Sequence, residues 1–112
     1  MKSMSYTAVA AAVALAAALS AASPAAHADA AGLALAQQKN CMSCHSINRT
    51  FMGPALHDVA ARYAGHDDAA TYLKHKILDG GVGVWGTVPM PANTQLTPDQ
   101  AATLADWVLT LK

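Results

Sequence analysis

Residues 41 to 45 read Cys41-Met42-Ser43-Cys44-His45, and the fold of the chain turns on what this pentapeptide holds. Its cysteines are the two that the 112-residue chain contains. Thiols at this spacing suit a disulfide, half of a zinc site, a redox dithiol or an attachment point for haem. Zinc needs four ligands, usually from a second Cys or His pair at similar spacing. His57, His66 and His75 recur at intervals of nine and form no such pair. A thioredoxin-like dithiol belongs at a helix start that follows a strand, but here a helical stretch precedes the cysteines and no strand pattern appears. A disulfide across so short a loop constrains the unfolded chain little, and it leaves His45 without a role. C-x-x-C-H remains, the attachment signal for c-type haem. Each thiol adds to one vinyl group on neighbouring pyrrole rings, and the adjoining His45 places its imidazole on the iron as proximal ligand.

The amino-terminal composition fits that chemistry. One basic residue, Lys2, precedes an unbroken apolar run from Ala8 to Leu19, "AVAAAVALAAAL". Twelve residues are too few to span a bilayer. The following "SAASPAAHADA", Ser20 to Ala30, is small and polar, includes the helix breaker Pro24, and offers two A-x-A cleavage signals, Ala26-His27-Ala28 and Ala28-Asp29-Ala30. This layout predicts a secretory signal peptide over residues 1–30, cleaved on export to a bacterial periplasm, and a single mature domain over 31–112. Haem of this type is attached outside the cytoplasmic membrane in bacteria. A domain of this size struggles to stabilise itself with an apolar core alone, and Phe51 is its one phenylalanine. A bound group is expected to fill its middle. Seven Lys and Arg balance seven acidic residues, which argues against a nucleic-acid partner.

Caps and periodicity predict an all-α domain. Thr97-Pro98-Asp99-Gln100 sets an N-cap, a proline at the first helical position and a Gln three residues after the cap. Ala101, Leu104, Ala105, Val108 and Leu111 then repeat at helical steps, giving a helix over about 98–111. A second helix runs from Asp68 to Asp79 on the stripe Ala69, Leu73 and Ile77, and Gly80-Gly81 ends it. Ala31 to Asn40 reads as a short helix entering Cys41, and Leu56 to Tyr63 adds a turn or two. Between them lie two irregular stretches, Ser46 to Ala55 and the glycine- and proline-rich Gly80 to Asn93, "GGVGVWGTVPMPAN". A loop that long in a compact domain is usually functional.

The sixth ligand decides whether the iron is open. Of the methionines after residue 30, Met42 lies inside the thioether bridge and Met52 only seven residues past His45. Met90 sits in Val88-Pro89-Met90-Pro91, where Pro89 fixes its own φ and Pro91 biases Met90 towards an extended conformation. That bracket holds one thioether in a single direction and makes Met90 the expected ligand. On the 68–79 helix His75 turns away from the apolar stripe and faces water; His57 and His66 are expected at the surface, though pattern alone does not remove them as ligands.

With Cys41-Met42-Ser43-Cys44-His45, Met52-Gly53-Pro54-Ala55, Gly83-Val84-Trp85-Gly86, Val88-Pro89-Met90-Pro91-Ala92-Asn93 and Ala105-Asp106-Trp107-Val108-Leu109, residues 31–112 resemble the small bacterial class I cytochromes c of the cytochrome c-551 type. The resemblance implies a fold of about four helices wrapped around one covalent haem c, bound through Cys41 and Cys44 and ligated by His45 and Met90. It also implies that the Pro54 carbonyl accepts from the proximal imidazole, that Asn93 donates its amide near the methionine sulfur, and that Trp85 gives its indole N–H to a haem propionate. The family places a propionate-binding arginine at position 76. Lys76 departs from this and offers a weaker point-charge contact. Ala36 stands where an aromatic often packs the first helix, and Ala92 where a second proline often follows the ligand.

A closed, six-coordinate iron changes charge by one electron with little rearrangement, and a thioether ligand raises its potential. The expected function is that of a soluble, monomeric periplasmic electron carrier, not an enzyme. It would accept electrons from one respiratory complex and deliver them to a terminal reductase or oxidase. Docking is expected through a haem edge framed by Met42, Ser43, Met52 and Pro91. Two other readings stand beside it: a haem gas sensor or peroxidase-like protein if Met90 is labile, and a membrane-tethered electron-transfer domain if the signal segment is retained.

Overall fold

A computed structural model describes residues 23–112; the apolar run expected to form the core of a signal peptide lies outside the described residues. Among the described residues the chain forms four α-helices and a short 3-10 turn: α1 Pro24–Gln38, the turn Cys41–Ser43, α2 Leu56–Tyr63, α3 Ala69–Asp79 and α4 Pro98–Leu109. There is no strand among them, only an isolated bridge pairing Gly81 with Met90. No helix among the described residues is long and apolar enough to cross a membrane.

The carboxy-terminal helix forms on the signals in its sequence. The Thr97 hydroxyl accepts from the Gln100 backbone N–H at 3.2 Å, and the Gln100 side chain accepts in return from the Thr97 N–H at 3.1 Å. Ala101, Leu104, Ala105, Trp107 and Val108 are its buried residues, and α4 packs against each of the other three helices. Leu56 and Val59 of α2, Leu73 of α3, Ala36 of α1 and Leu96 complete one core cluster. Each buried aliphatic side chain in it contributes about 1.5–3 kcal/mol relative to exposure. Ile77 packs half-buried at the margin of that core.

Two features of α1 differ from expectation. The helix begins at Pro24, seven residues before Ala31, because Pro24 acts as a helix starter rather than a breaker. It occupies the first turn, and the Ser23 hydroxyl caps the Ala26 N–H at 3.3 Å. Residues 24–31 are exposed, and the first buried position is Gly32. There the Trp107 side chain lies so close that a Cβ would collide with it. At Ala36, where the family often has an aromatic, the side chain is fully buried and lines the cleft described below, while Gly32 admits the indole of α4.

Candidate haem site

The pentapeptide folds into one tight turn. Asn40 adopts a left-handed conformation, φ 62°, which asparagine tolerates better than most residues. Its carbonyl accepts from the Ser43 N–H at 3.2 Å and the Ser43 hydroxyl at 2.6 Å. The Cys41 carbonyl accepts from the N–H groups of Cys44 and His45 at 3.2 and 3.0 Å. Both thiols are free rather than paired with each other. Burial, more than the neighbouring Cys44, pushes the Cys41 thiol up from its ordinary value.

His45 is oriented from the following loop. Its Nδ1 lies 2.8 Å from the Pro54 carbonyl oxygen. A carbonyl only accepts, so Nδ1 carries the proton and Nε2 keeps its lone pair for a metal. Gly53 packs against the ring, and a Cβ there would fall 2.5 Å from His45 Cε1. The Gly53 N–H also donates to the Cys44 carbonyl at 2.9 Å, folding this loop back onto the pentapeptide.

Met90 is held from the opposite loop. It exchanges two backbone hydrogen bonds with Gly81, at 2.8 and 3.0 Å. Gly80, at φ 70°, lies so near the Met90 carbonyl that a Cβ would collide with it. The loop is therefore closed at its root by paired bonds to Gly81, beside a glycine at position 80 that no larger residue could replace.

Cys41, Cys44, His45, Pro54, Lys76, Trp85, Met90 and Asn93 all line one cleft of about 330 Å³. Its volume lies at the lower end of the ~300–1,000 Å³ range of ligand clefts. The walls also include Leu56, Val59, Leu73, Ile77 and Leu104. Two thiols, an imidazole with its Nε2 lone pair available and a thioether, set in an apolar slot, are the donor set of a covalently bound haem. The residues present fit the group.

Other expected contacts take a different form. Asn93 donates its Nδ2 to the Ile77 carbonyl at 2.8 Å, and its Oδ1 accepts from Gln95 at 3.1 Å. Among the described residues this amide is engaged at the end of α3 rather than at the Met90 sulfur. The second Nδ2 hydrogen is the one left for the sulfur. The Lys76 ammonium sits 5.5 Å from the centroid of the Tyr72 ring. Trp85 is 42% exposed, with the Arg62 guanidinium 4.7 Å from its ring centroid. Met42 packs against the core cluster rather than at the rim. Phe51 and Met52 are 61% and 57% exposed, and the Met52 sulfur lies 3.7 Å from that of Cys44, which lines the cleft. His57, His66 and His75 are all exposed. His57 Nδ1 lies 2.6 Å from the Leu111 carbonyl, and His75 lies 3.7 Å from Asp79.

Sequence reasoning missed Tyr63, Tyr72 and Arg62. The two tyrosines line the cleft with ring centroids 5.1 Å apart. Burial, and then Tyr72, push the Tyr63 phenol up. No local pattern marks these residues, because α2 and α3 meet only once the chain is folded.

Comparison with known proteins agrees with this geometry. The family model described as Cytochrome c matches residues 30–112. The chain is 54% identical over 78 residues to cytochrome c-552 of Nitrosomonas europaea, covering 70% of this chain and 76% of that protein. It is 52% identical over 83 residues to cytochrome c-551 of Ectopseudomonas mendocina, covering 74% of this chain and all of that one. The crystal structure of the wild-type Nitrosomonas europaea cytochrome c552 superposes with a TM-score of 0.70 at 52% identity, covering 71% of this chain and 99% of that chain. The thiol pair, the imidazole and the thioether thus stand in a fold these proteins share, and the chain belongs to the cytochrome c family as a small class I cytochrome c of the c-551 type, with one covalently attached haem c.

Proposed function

We propose that the protein is a soluble periplasmic electron carrier, exported by a leader over residues 1–30 and active as the monomeric domain 31–112. The haem supplies a one-electron change at its iron. Cys41 and Cys44 would tether it, and His45 and Met90 would ligate its iron. Pro54 keeps the imidazole in one tautomer and one orientation. Trp85 and Lys76 serve the propionate side, and Asn93 supports Met90.

The observation that carries this reading is the two-sided restraint of the ligands. His45 is fixed by the Pro54 carbonyl at 2.8 Å, and Met90 by its paired bonds to Gly81. Ligands fastened in this way at the root of each loop favour an iron that exchanges electrons rather than substrates, the behaviour of a carrier and not of an enzyme. Its partners are redox proteins: a respiratory donor complex and a terminal reductase or oxidase. They dock at the apolar rim formed by Phe51, Met52 and Pro91. Carbon monoxide binding to the ferrous protein at neutral pH tests the closed iron. Slow, weak binding is expected; rapid binding would favour the sensor or peroxidase-like reading.

A further inference from the structure

The loop that carries Met90 has little to hold it. Residues 82–89 are all exposed, with Val82 at 64% and Val88 at 62%. Gly83 and Gly86 have φ 98° and 122°, and the bond from the Gly83 N–H to the Gly86 carbonyl, 3.0 Å, is internal to the loop. Two polar contacts reach 82–89 from α2: Arg62 Nη1 donates to the Val84 carbonyl at 3.1 Å, and the Tyr63 phenol is hydrogen-bonded by the Trp85 side chain. The same guanidinium stacks 4.7 Å from the Trp85 ring centroid. Lys76 of α3 reaches only the root of the loop, beside Gly81. Arg62 forms no ion pair among the described residues; besides the loop, its guanidinium faces the Tyr63 ring, 5.9 Å from the centroid.

We propose that Arg62 is a positioning residue for the ligand loop. From α2 it grips two consecutive residues, Val84 by a charge-assisted hydrogen bond and Trp85 by its planar face, and so holds Met90 on the iron against competing ligands. A planar fork can do both at once. The family's expectation of an arginine on α3 is met here by Lys76, so the guanidinium that faces Trp85 comes from a different helix. The inference rests on Met90 being the sixth ligand.

Imidazole titration of the ferric holoprotein tests it. Arg62→Ala should bind imidazole about tenfold more tightly than wild type, the size of one exposed cation–π contact with one charge-assisted hydrogen bond. Trp85→Ala should also tighten binding, and the double variant should fall short of the product of the two single effects, since the pair acts as a unit. Amide exchange should quicken at Gly83 and Gly86 and stay unchanged through α4. Wild-type imidazole affinity in Arg62→Ala, independent effects in the double variant, or exchange accelerated evenly across the protein would each overturn the proposal. Met90→Ala is the separate control: if it binds imidazole no better than wild type, the reading of Met90 as ligand fails, whatever Arg62 does.

Discussion

At the scale of single residues, the site depends on atoms that leave no room for alternatives. His45 can present Nε2 to a metal because Pro54 takes the other nitrogen, and it can do so only because Gly53 has no side chain. Gly53→Ala would drive a methyl group into the imidazole. Its φ is not in the left-handed region, so the cost is steric, about 1–3 kcal/mol of overpacking. Thermal unfolding of the holoprotein should show the loss, and an unchanged melting temperature would contradict the close packing. The pentapeptide was legible in the sequence because its chemistry is local: two thiols and an imidazole within five residues. The reason for Gly53 was not, since a Gly-Pro pair reads as a turn until the ring beside it is seen. Asn93 shows the same limit, its amide taken by a carbonyl sixteen positions away.

At the scale of elements, caps were the most legible signals. Thr97 and Gln100 form the reciprocal pair that their spacing announces, and α3 and α4 begin and end within two residues of expectation. Thr97→Ala should cost about 1 kcal/mol, lowering the melting temperature by roughly 4–8 °C for a domain of this size. A smaller change would mean that packing alone holds the helix. The start of α1 was misjudged because a proline serves as starter or breaker according to the residue before it, and Ser23 settles the matter by capping. The contact between Gly32 and Trp107 joins residues far apart in sequence. Gly32→Val should destabilise the protein by a further ~1–3 kcal/mol through overpacking, measured by chemical denaturation, even though the substitution lies far from the cleft's ligands.

At the scale of the whole molecule, a small core and a bound group divide the interior between them. Four helices supply the packed core, while the proposed ligands His45 and Met90 come from two separate loops that line one cleft. The all-α class was readable, because helical periodicity is written along the chain, and the proline bracket singled out Met90, which the fold places in the lining of the cleft. Arg62, Tyr63 and Tyr72 were not, because their significance arises where α2, α3 and the ligand loop meet. The apolar rim gives a functional prediction at this scale. Met52→Asp should slow electron transfer to a physiological partner, several-fold or more, and leave the visible spectrum unaltered; an unchanged transfer rate would remove the rim as the docking face. Fractionation of the expressed protein checks the export reading, with the haem protein expected in the periplasmic fraction and not in membranes. The central claim is that His45 and Met90 close the iron between them. Its most direct test is the near-infrared spectrum of the ferric protein and of Met90→Ala. The account predicts a methionine-to-iron charge-transfer band in the wild type and its loss in the variant, whereas a band that survives the substitution would contradict it.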